Sequence, residues 1–415
     1  MSAASPDLVV FTPLPPARSG IAAYSAELLP LLAAHLRLAV VVARLADKVA
    51  LPGCEVLAEM EYRARPGLAA RPHLFQLGNS MDHAHVYRAA LRSPGILVLH
   101  DPVLHHLVEA LTLGRGDWAG YEQALAAEYG EAGRRLARRR RQGLFDPAQR
   151  FLLPLNGAVL DRARGVLVHS RFAAGRVTRI GGPEVRVVPH HLSPLVAAAA
   201  GLGKAEARAR CHLPPDRPVL LSLGHATPAK RIDLVLEAVA RLRDAGSPLL
   251  HVIAGAVEAG FDLEGMVARL GLGDRVRITG WLGEAEFLAY ARAADLLVNL
   301  RWPLAGESSG ALVRALGLGL PALVDAAGPL GEYPDAVVAK FPPGPDPAPR
   351  LATAIAGLLA APAALAARGA AAAAHLRVAA DPALSVAAYL RAVRDWGESS
   401  FAPAGSGLRE AVPEP

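Results

Sequence analysis

The sequence predicts a parallel α/β protein built twice over, as two doubly wound domains facing each other across a cleft. Three observations carry that expectation. Short runs of Val, Leu and Ile without polar alternation recur along the chain, as in strands buried on both faces of a sheet. Longer stretches with helical periodicity separate them, which makes the connections strand–helix–strand and the sheets parallel. At 415 residues the chain is also too long for one ordinary core.

In the first half the expected strands are LVVF (8–11), LAVVVA (38–43), HLFQL (73–77), ILVLH (96–100), GVLVH (165–169) and VRVVP (185–189). In the second half they are PVLLSL (218–223), LLHVIAG (249–255), RVRITG (275–280), DLLVNL (295–300), PALVD (321–325) and AVVAKF (336–341). The rhythm breaks at 192–217, and residues 342–349, PPGPDPAP, read as a stiff connector. These signals divide the chain into an N-terminal domain (1–195), a C-terminal domain (196–385), a last helix (386–400) and a disordered Pro/Gly/Glu-rich tail (401–415).

Hydrophobic residues make up 52% and charged residues 20%, which excludes a disordered or fibrous chain. A net charge of +6 is a modest basic excess and no nucleic-acid signature. Cys54 and Cys211 match no metal or redox spacing and fit a reducing compartment. The opening stretch lacks the basic start and apolar core of a signal peptide, and no run approaches the roughly 18 apolar residues of a membrane span. The expectation is a cytoplasmic bacterial protein, at most peripheral on the inner membrane face.

Ligands in doubly wound sheets bind beyond the carboxyl ends of the strands, so functional residues are expected to cluster there. After the first strand, FTPLPPARSGIAAYSAELL brings Gly20 to a helix start, where backbone amides approach anions closely. LVLHDPVLHHL ends a strand with His100 and Asp101; Asp101 before Pro102 also fits a helix cap, and His105 and His106 lack zinc spacing. In LSLGHATPAKRIDLVLEAV, Gly224 and His225 lead to Lys230 and Arg231 at a helix N-terminus. Two cations there oppose the helix dipole unless an anion lodges between them. Finally, LRWPLAGESSGALVRALGLGLP sets Gly306, Glu307, Ser308, Ser309 and Gly310 at a helix start, with one of the serines as cap. Arg314 follows in an apolar helix, where it needs an anionic partner or a water-lined edge.

With these segments in hand, the chain resembles the family 4 glycosyltransferases of the GT-B fold over most of residues 7–400. The specific part is a strand-Gly with Lys six residues on (Gly224, Lys230), then Gly-Glu (Gly306, Glu307) before a helix ending in Gly-x-Pro (Gly319, Pro321). The resemblance implies two Rossmann-like domains, the first for the acceptor and the second for a nucleotide-diphosphate sugar, with the last helix crossing back to the first. It implies hexosyl transfer with retention of anomeric configuration, in the setting of polysaccharide biosynthesis, with no metal or other cofactor. Lys230 and Arg231 would hold the diphosphate, Glu307 the sugar hydroxyls, Gly20 the phosphates, and His100 would lie beside the sugar. Gly224, His225, Gly306, Ser308, Ser309 and Gly310 would complete the donor-binding loops.

Two departures from the family pattern stand out. His225 occupies the place after the strand-Gly where the family has Arg. The second glutamate, which holds the ribose, is replaced: Ala315 lies eight positions after Glu307, and alignment on Gly319-x-Pro321 puts Arg314 there. Two alternatives stay open beside transfer, a catalytically silent GT-B homologue acting as a partner subunit and a sugar-nucleotide epimerase. A basic stretch with Arg134, Arg135, Arg138, Arg139, Arg140 and Arg141 reads either as a solvated helix face or as a dock for anionic lipid near a saccharide or lipid-linked acceptor.

Overall fold

The computed structural model describes residues 5–397, so the tail expected from Phe401 lies outside the described residues. The first domain holds a seven-stranded parallel sheet: β1 Leu8–Phe11, β2 Leu38–Val42, β3 Cys54–Ala58, β4 His73–Leu77, β5 Gly95–Leu99, β6 Ala163–Val168 and β7 Val185–Val187, in the order β3-β2-β1-β4-β5-β6-β7. The second holds six parallel strands: β8 Val219–Leu223, β9 Leu250–Ala254, β10 Val276–Ile278, β11 Leu296–Asn299, β12 Ala322–Asp325 and β13 Ala339–Phe341, in the order β10-β9-β8-β11-β12-β13. The expectation of two doubly wound parallel sheets holds in both halves. Every residue of β2, β4, β5, β8 and β9 is buried, which is why their sequences lack alternation. Polar residues inside them are partnered: His73 meets the Tyr62 hydroxyl at 2.8 Å, and Ser222 meets His251 at 3.0 Å.

The sequence reading did not foresee β3. It pairs only with β2 at the sheet edge and is half-covered, so Cys-Glu-Val-Leu-Ala shows no apolar run. Two loop expectations also change. Much of the seam is helical (Pro194–Ala199 and Lys204–Arg210), and the connector turns into a helix at Pro347, where Pro fits the first turn.

The helices that bear on the site are α1 Gly20–Ala33, α2 His105–Leu111, α3 Trp118–Arg141, α4 Arg171–Val177, α5 Ile232–Asp244, α6 Glu284–Ala293, α7 Gly310–Gly317 and α8 Pro382–Trp396. Although α8 follows the second domain in sequence, it packs on the first. Tyr389 meets the Tyr24 hydroxyl at 3.1 Å, and the Trp396 indole lies where a Cβ on Gly165 would stand, 2.2 Å away. Any side chain at 165 would therefore displace the helix.

In each sheet the order reverses beside the first strand, between β1 and β4 and between β8 and β11. That reversal opens a crevice at the carboxyl edge. The two edges face each other. Arg18, after β1, lies 4.8 Å over the Trp281 ring; Arg176 on α4 donates to the Leu304 carbonyl at 2.7 Å; and Glu332 accepts from the Phe172 and Arg171 amides at 2.6 and 3.1 Å. Among the described residues no single helix is long and apolar enough to cross a membrane.

Candidate functional site

The site begins where β8 ends. Gly224 has φ +88°, a left-handed conformation that glycine adopts freely, and a Cβ there would stand 3.0 Å from the Lys230 ammonium. Glycine thus leaves room for Lys230 to fold back and donate to the Leu223 carbonyl at 3.1 Å. Burial holds the Lys230 pKa well below the usual lysine range; the neighbouring Arg301 charge adds to this and Glu307 opposes it. Among the described residues no carboxylate forms an ion pair with Lys230. Its hollow is lined by Ser222, Ile232, Val298, Asn299 and Arg301.

Arg301, just past β11, is a second buried cation that the sequence reading missed. Its Nε donates to Glu307 at 3.2 Å, and its backbone amide bonds the Asp325 carboxylate. Burial lowers its pKa, against the pull of Glu307 and Asp325. The available signal was a lone charge at the carboxyl end of a fully buried strand. Glu307 therefore sits within electrostatic reach of Lys230 and within bonding reach of Arg301.

The Glu307 loop is pressed against the first domain. Gly306 has φ +103°, and a Cβ there would stand 3.1 Å from Pro102, so both conformation and space select glycine. Of the two candidate caps it is Ser309 that accepts from the Leu312 amide, at 3.2 Å, while Asn299 donates to it at 3.0 Å. Ser308 lies beside Glu307 in the same loop. The Asn299 Oδ1 is buried with no protein partner, and Asn299 lines the same hollow as Lys230. Gly310 opens α7 with His190 3.2 Å from where its Cβ would be.

Opposite, the first domain brings Asp101. It is not a helix cap, since α2 begins only at His105; instead it accepts from the Asn79 amide at 2.8 Å. Burial and the Glu307 charge raise its pKa to about 7, so it carries a proton for much of the neutral range. His100 is buried beside it with both ring nitrogens engaged, by Gln76 at 2.6 Å and His169 at 3.1 Å. Burial pushes the His100 pKa well down. A direct contact from His100 to a ligand would cost one of these bonds, which makes Asp101 the accessible group at this strand end.

The remaining expected residues spread around this centre. Arg231 turns its guanidinium to Asp233 at 3.2 Å, at the start of α5, yet its charge is still felt at Asp325. His225 stands on the loop with its ring partly covered, its pKa lowered by that partial desolvation and by Lys230. Gly20 is the exposed first residue of α1, with open space around it, and Ser19 caps that helix. Arg314 does not reach the hollow. It is buried on α7 and pairs with Glu284 at 2.7 Å and with Glu27 of the first domain at 2.8 Å. Of the two partners expected for it, phosphate or a neighbouring acid, the structure supplies the acids.

One expectation needs correction. Arg140 is not part of an exposed basic face: it turns inward to Glu109 at 2.5 Å and the Tyr121 hydroxyl at 2.7 Å, and stacks on Phe145 at 3.8 Å. Packing against α2 claims it, because α3 kinks at Gly130 and curls over that helix. Arg134 and Arg138 sit in exposed pairs with Glu131 and Glu122, Arg141 approaches the Trp118 ring, and Arg135 and Arg139 are exposed. Among the described residues no group of three or more His, Cys, Asp or Glu side chains is placed to hold a metal ion.

Residues 203–373 match the family model described as Glycosyl transferases group 1. The chain is 35% identical over 140 residues to D-inositol 3-phosphate glycosyltransferase of Streptomyces coelicolor, covering 31% of this chain and 30% of that protein. It is 31% identical over 246 residues to 2-deoxystreptamine glucosyltransferase of Streptomyces kanamyceticus, covering 58% of each. The matched stretch thus spans from under a third to a little over half of these relatives. A solved structure of Anabaena Alr3699/HepE in complex with UDP and glucose superposes with a TM-score of 0.63 at 15% identity, over 94% of this chain and 99% of that one. WaaG, a glycosyltransferase of lipopolysaccharide biosynthesis, does so with a TM-score of 0.60 at 15% identity, over 93% and 99%. The second domain therefore resembles the group 1 glycosyl transferases over the matched residues, and the whole chain has the two-domain GT-B architecture.

Proposed function

We propose that this protein is a hexosyltransferase that takes a sugar from a nucleoside-diphosphate donor held between the two domains and passes it, with retention, to an acceptor entering from the first domain. The observation that carries the reading is the convergence of Lys230, Arg301 and Glu307 with Asp101 of the first domain, where among the described residues no carboxylate forms an ion pair with the lysine. A diphosphate beside Lys230 and Arg301 would supply the missing charge, and both cations would stabilise the negative charge growing on the leaving group. Arg301 takes the second cationic place that the resemblance gave to Arg231. Glu307, oriented by Arg301, would accept hydrogen bonds from sugar hydroxyls, with the open Asn299 oxygen and protonated Asp101 as further polar contacts. Closure of the two edges keeps water from the activated sugar. The group 1 match and the relatives named for glycosyl transfer support the same reaction class.

The test is a thermal-shift screen against UDP-, GDP-, ADP- and dTDP-glucose, followed by assay of transfer and of slow donor hydrolysis. A donor at about a hundred times its Kd adds about 2.7 kcal/mol of stability. The expected result is a shift with one nucleotide, lost in Lys230→Ala. Binding without turnover across many acceptors would move the protein to the silent partner class, and an epimerised nucleotide sugar would make it an epimerase. For the acceptor side we propose peripheral membrane contact through exposed Arg135 and Arg139, with exposed Leu144 beside Arg139. Unchanged binding of Arg135→Gln/Arg139→Gln to anionic vesicles would remove that contact.

A further inference from the structure

The helix α1 contains one charged residue, Glu27, and α7 contains one, Arg314. They lie in different domains and meet. Arg314 Nη2 donates to Glu27 Oε1 at 2.8 Å, and Ser193 donates to the same oxygen at 2.7 Å. His191 bonds the other oxygen at 3.1 Å. All of this is enclosed, with side-chain exposures of 7% for Arg314, 11% for Glu27 and 0% for His191.

The location matters as much as the bond. His191 and Ser193 belong to the first passage of the chain from one domain to the other, and the return passage runs beside it. The Leu192 amide donates to the Ala380 carbonyl at 2.8 Å, and Ser385 donates to the Pro189 carbonyl at 2.8 Å. Two adjacent crossings form a hinge, and Glu27 is the side chain that ties this hinge to both domains at once.

We infer that Glu27 is a positioning residue that locks the hinge and, through Arg314, holds the starts of α1 and α7 in the register the proposed donor site needs. At 1.5 Å per residue, Glu27 lies about 10 Å along α1 from Gly20, and Arg314 about 6 Å along α7 from Gly310. These levers are short and rigid, so a small slip at the bridge is carried to the Glu307 loop at the start of α7. Glu284, bonded to the same guanidinium at 2.7 Å, extends the tie to α6 and keeps Arg314 from rotating away.

This inference rests on the transferase reading for its kinetic part, and the experiment separates the two. Using whichever of the four glucose nucleotides gives the largest thermal shift, kcat and KM are measured for Glu27→Ala and Glu27→Gln in the full chain. Hydrogen exchange is followed at 189–193 and 310–317 in the same proteins. Glu27→Ala should lose about 10- to 100-fold in kcat, with the donor KM little changed, the cost of misplacing otherwise intact groups. Exchange should quicken at both segments. Glu27→Gln keeps the hydrogen-bonding shape and should recover part of the rate; it also serves if the Ala variant fails to fold. Arg37→Gln, which breaks an exposed pair with Asp7 inside the first domain, is the control and should change neither readout. Wild-type kcat, or wild-type exchange at the hinge, in a folded Glu27 variant would overturn the inference. If the wild-type chain binds no nucleotide sugar, the transferase reading falls, and the exchange result alone decides whether Glu27 locks the hinge.

Discussion

The two walls of the cleft use opposite chemistries. The second-domain wall concentrates charge: among the described residues Lys230 has no ion pair, and beside it Arg301 is paired with Glu307 and bonded through its amide to Asp325. The first-domain wall concentrates groups that burial keeps neutral: His100 and His169, whose pKa values are pushed down, and Asp101, raised to about 7. An enclosed ammonium without an ion pair gains from an anion placed beside it. A wall of neutral donors and acceptors suits hydroxyl groups, which need bonds and no charge. On the proposed reading, the phosphates lie against the charged wall and hydroxyl-bearing groups against the neutral one.

The largest break comes from Lys230→Ala. If the cation serves the leaving group, kcat should fall about 10²–10³-fold, the range seen when one preorganised electrostatic contact is removed. The melting temperature of the ligand-free protein should hold or rise, because an uncompensated buried charge is gone. A variant that melts lower and turns over normally would make Lys230 an ordinary structural residue.

Glu307→Gln sharpens the contrast by changing both walls. The sugar contact weakens, and turnover should drop about 10-fold or more if the carboxylate bonds strengthen in the transition state. The Glu307 charge also raises the Asp101 pKa, so its removal should move any pH-rate limb due to Asp101 to lower pH. A fall in rate with no movement of that limb would uncouple the two walls.

Asp101→Asn tests the neutral wall alone. The folded pKa of about 7 lies above the unfolded value near 3.9, so the folded state holds a proton that the unfolded state releases. Wild-type stability should therefore fall as pH rises from about 4 through 7 and then level off. The Asn variant lacks that decline and should be the more stable protein at pH 8, by on the order of 4 kcal/mol, with the advantage fading toward pH 4. Thermal melts across this range check the sign.

What could be read from the sequence follows the same division. The second-domain motifs were visible because a glycine, a lysine and a glutamate stand at fixed offsets from apolar runs, and local spacing carries that information. Arg301 escaped because the strand end was read for its run of Leu and Val rather than for the charge closing it. The first-domain contributions are tertiary. Asp101 resembled a cap because Asp-Pro begins helices, and only the folded loop shows that α2 starts later. Glu27 sits among alanines and leucines 287 residues from Arg314, and nothing local pairs them. Two lone, opposite charges in otherwise apolar helices were the available clue. The edge strand β3 was missed for the complementary reason: half-exposure dilutes the apolar pattern that marks buried strands.

The smallest effect on turnover is expected where a carboxylate is held by partners of its own away from the cleft, in the packing of α3 on α2. Glu109 accepts from Arg150 and Arg140, and the three side chains are largely enclosed. Burial alone would raise the Glu109 pKa, but the two guanidinium groups bring it down to about 2. A depressed carboxylate pKa stabilises the fold above the unfolded value near 4.3, and that contribution is lost as pH falls toward the folded value. Glu109→Gln should cost about 1–2 kcal/mol at pH 7 after allowance for solvent screening, with the gap to wild type closing toward pH 2. Donor turnover at pH 7 should stay at the wild-type level, since Glu109 touches neither wall of the cleft. The same kind of charge removal would then have opposite consequences in two parts of one molecule: stability lost with function kept at Glu109, and function lost with stability kept at Lys230. Were Glu109→Gln instead to lower turnover as deeply as Lys230→Ala, compensation would be no guide to which charges the chemistry uses.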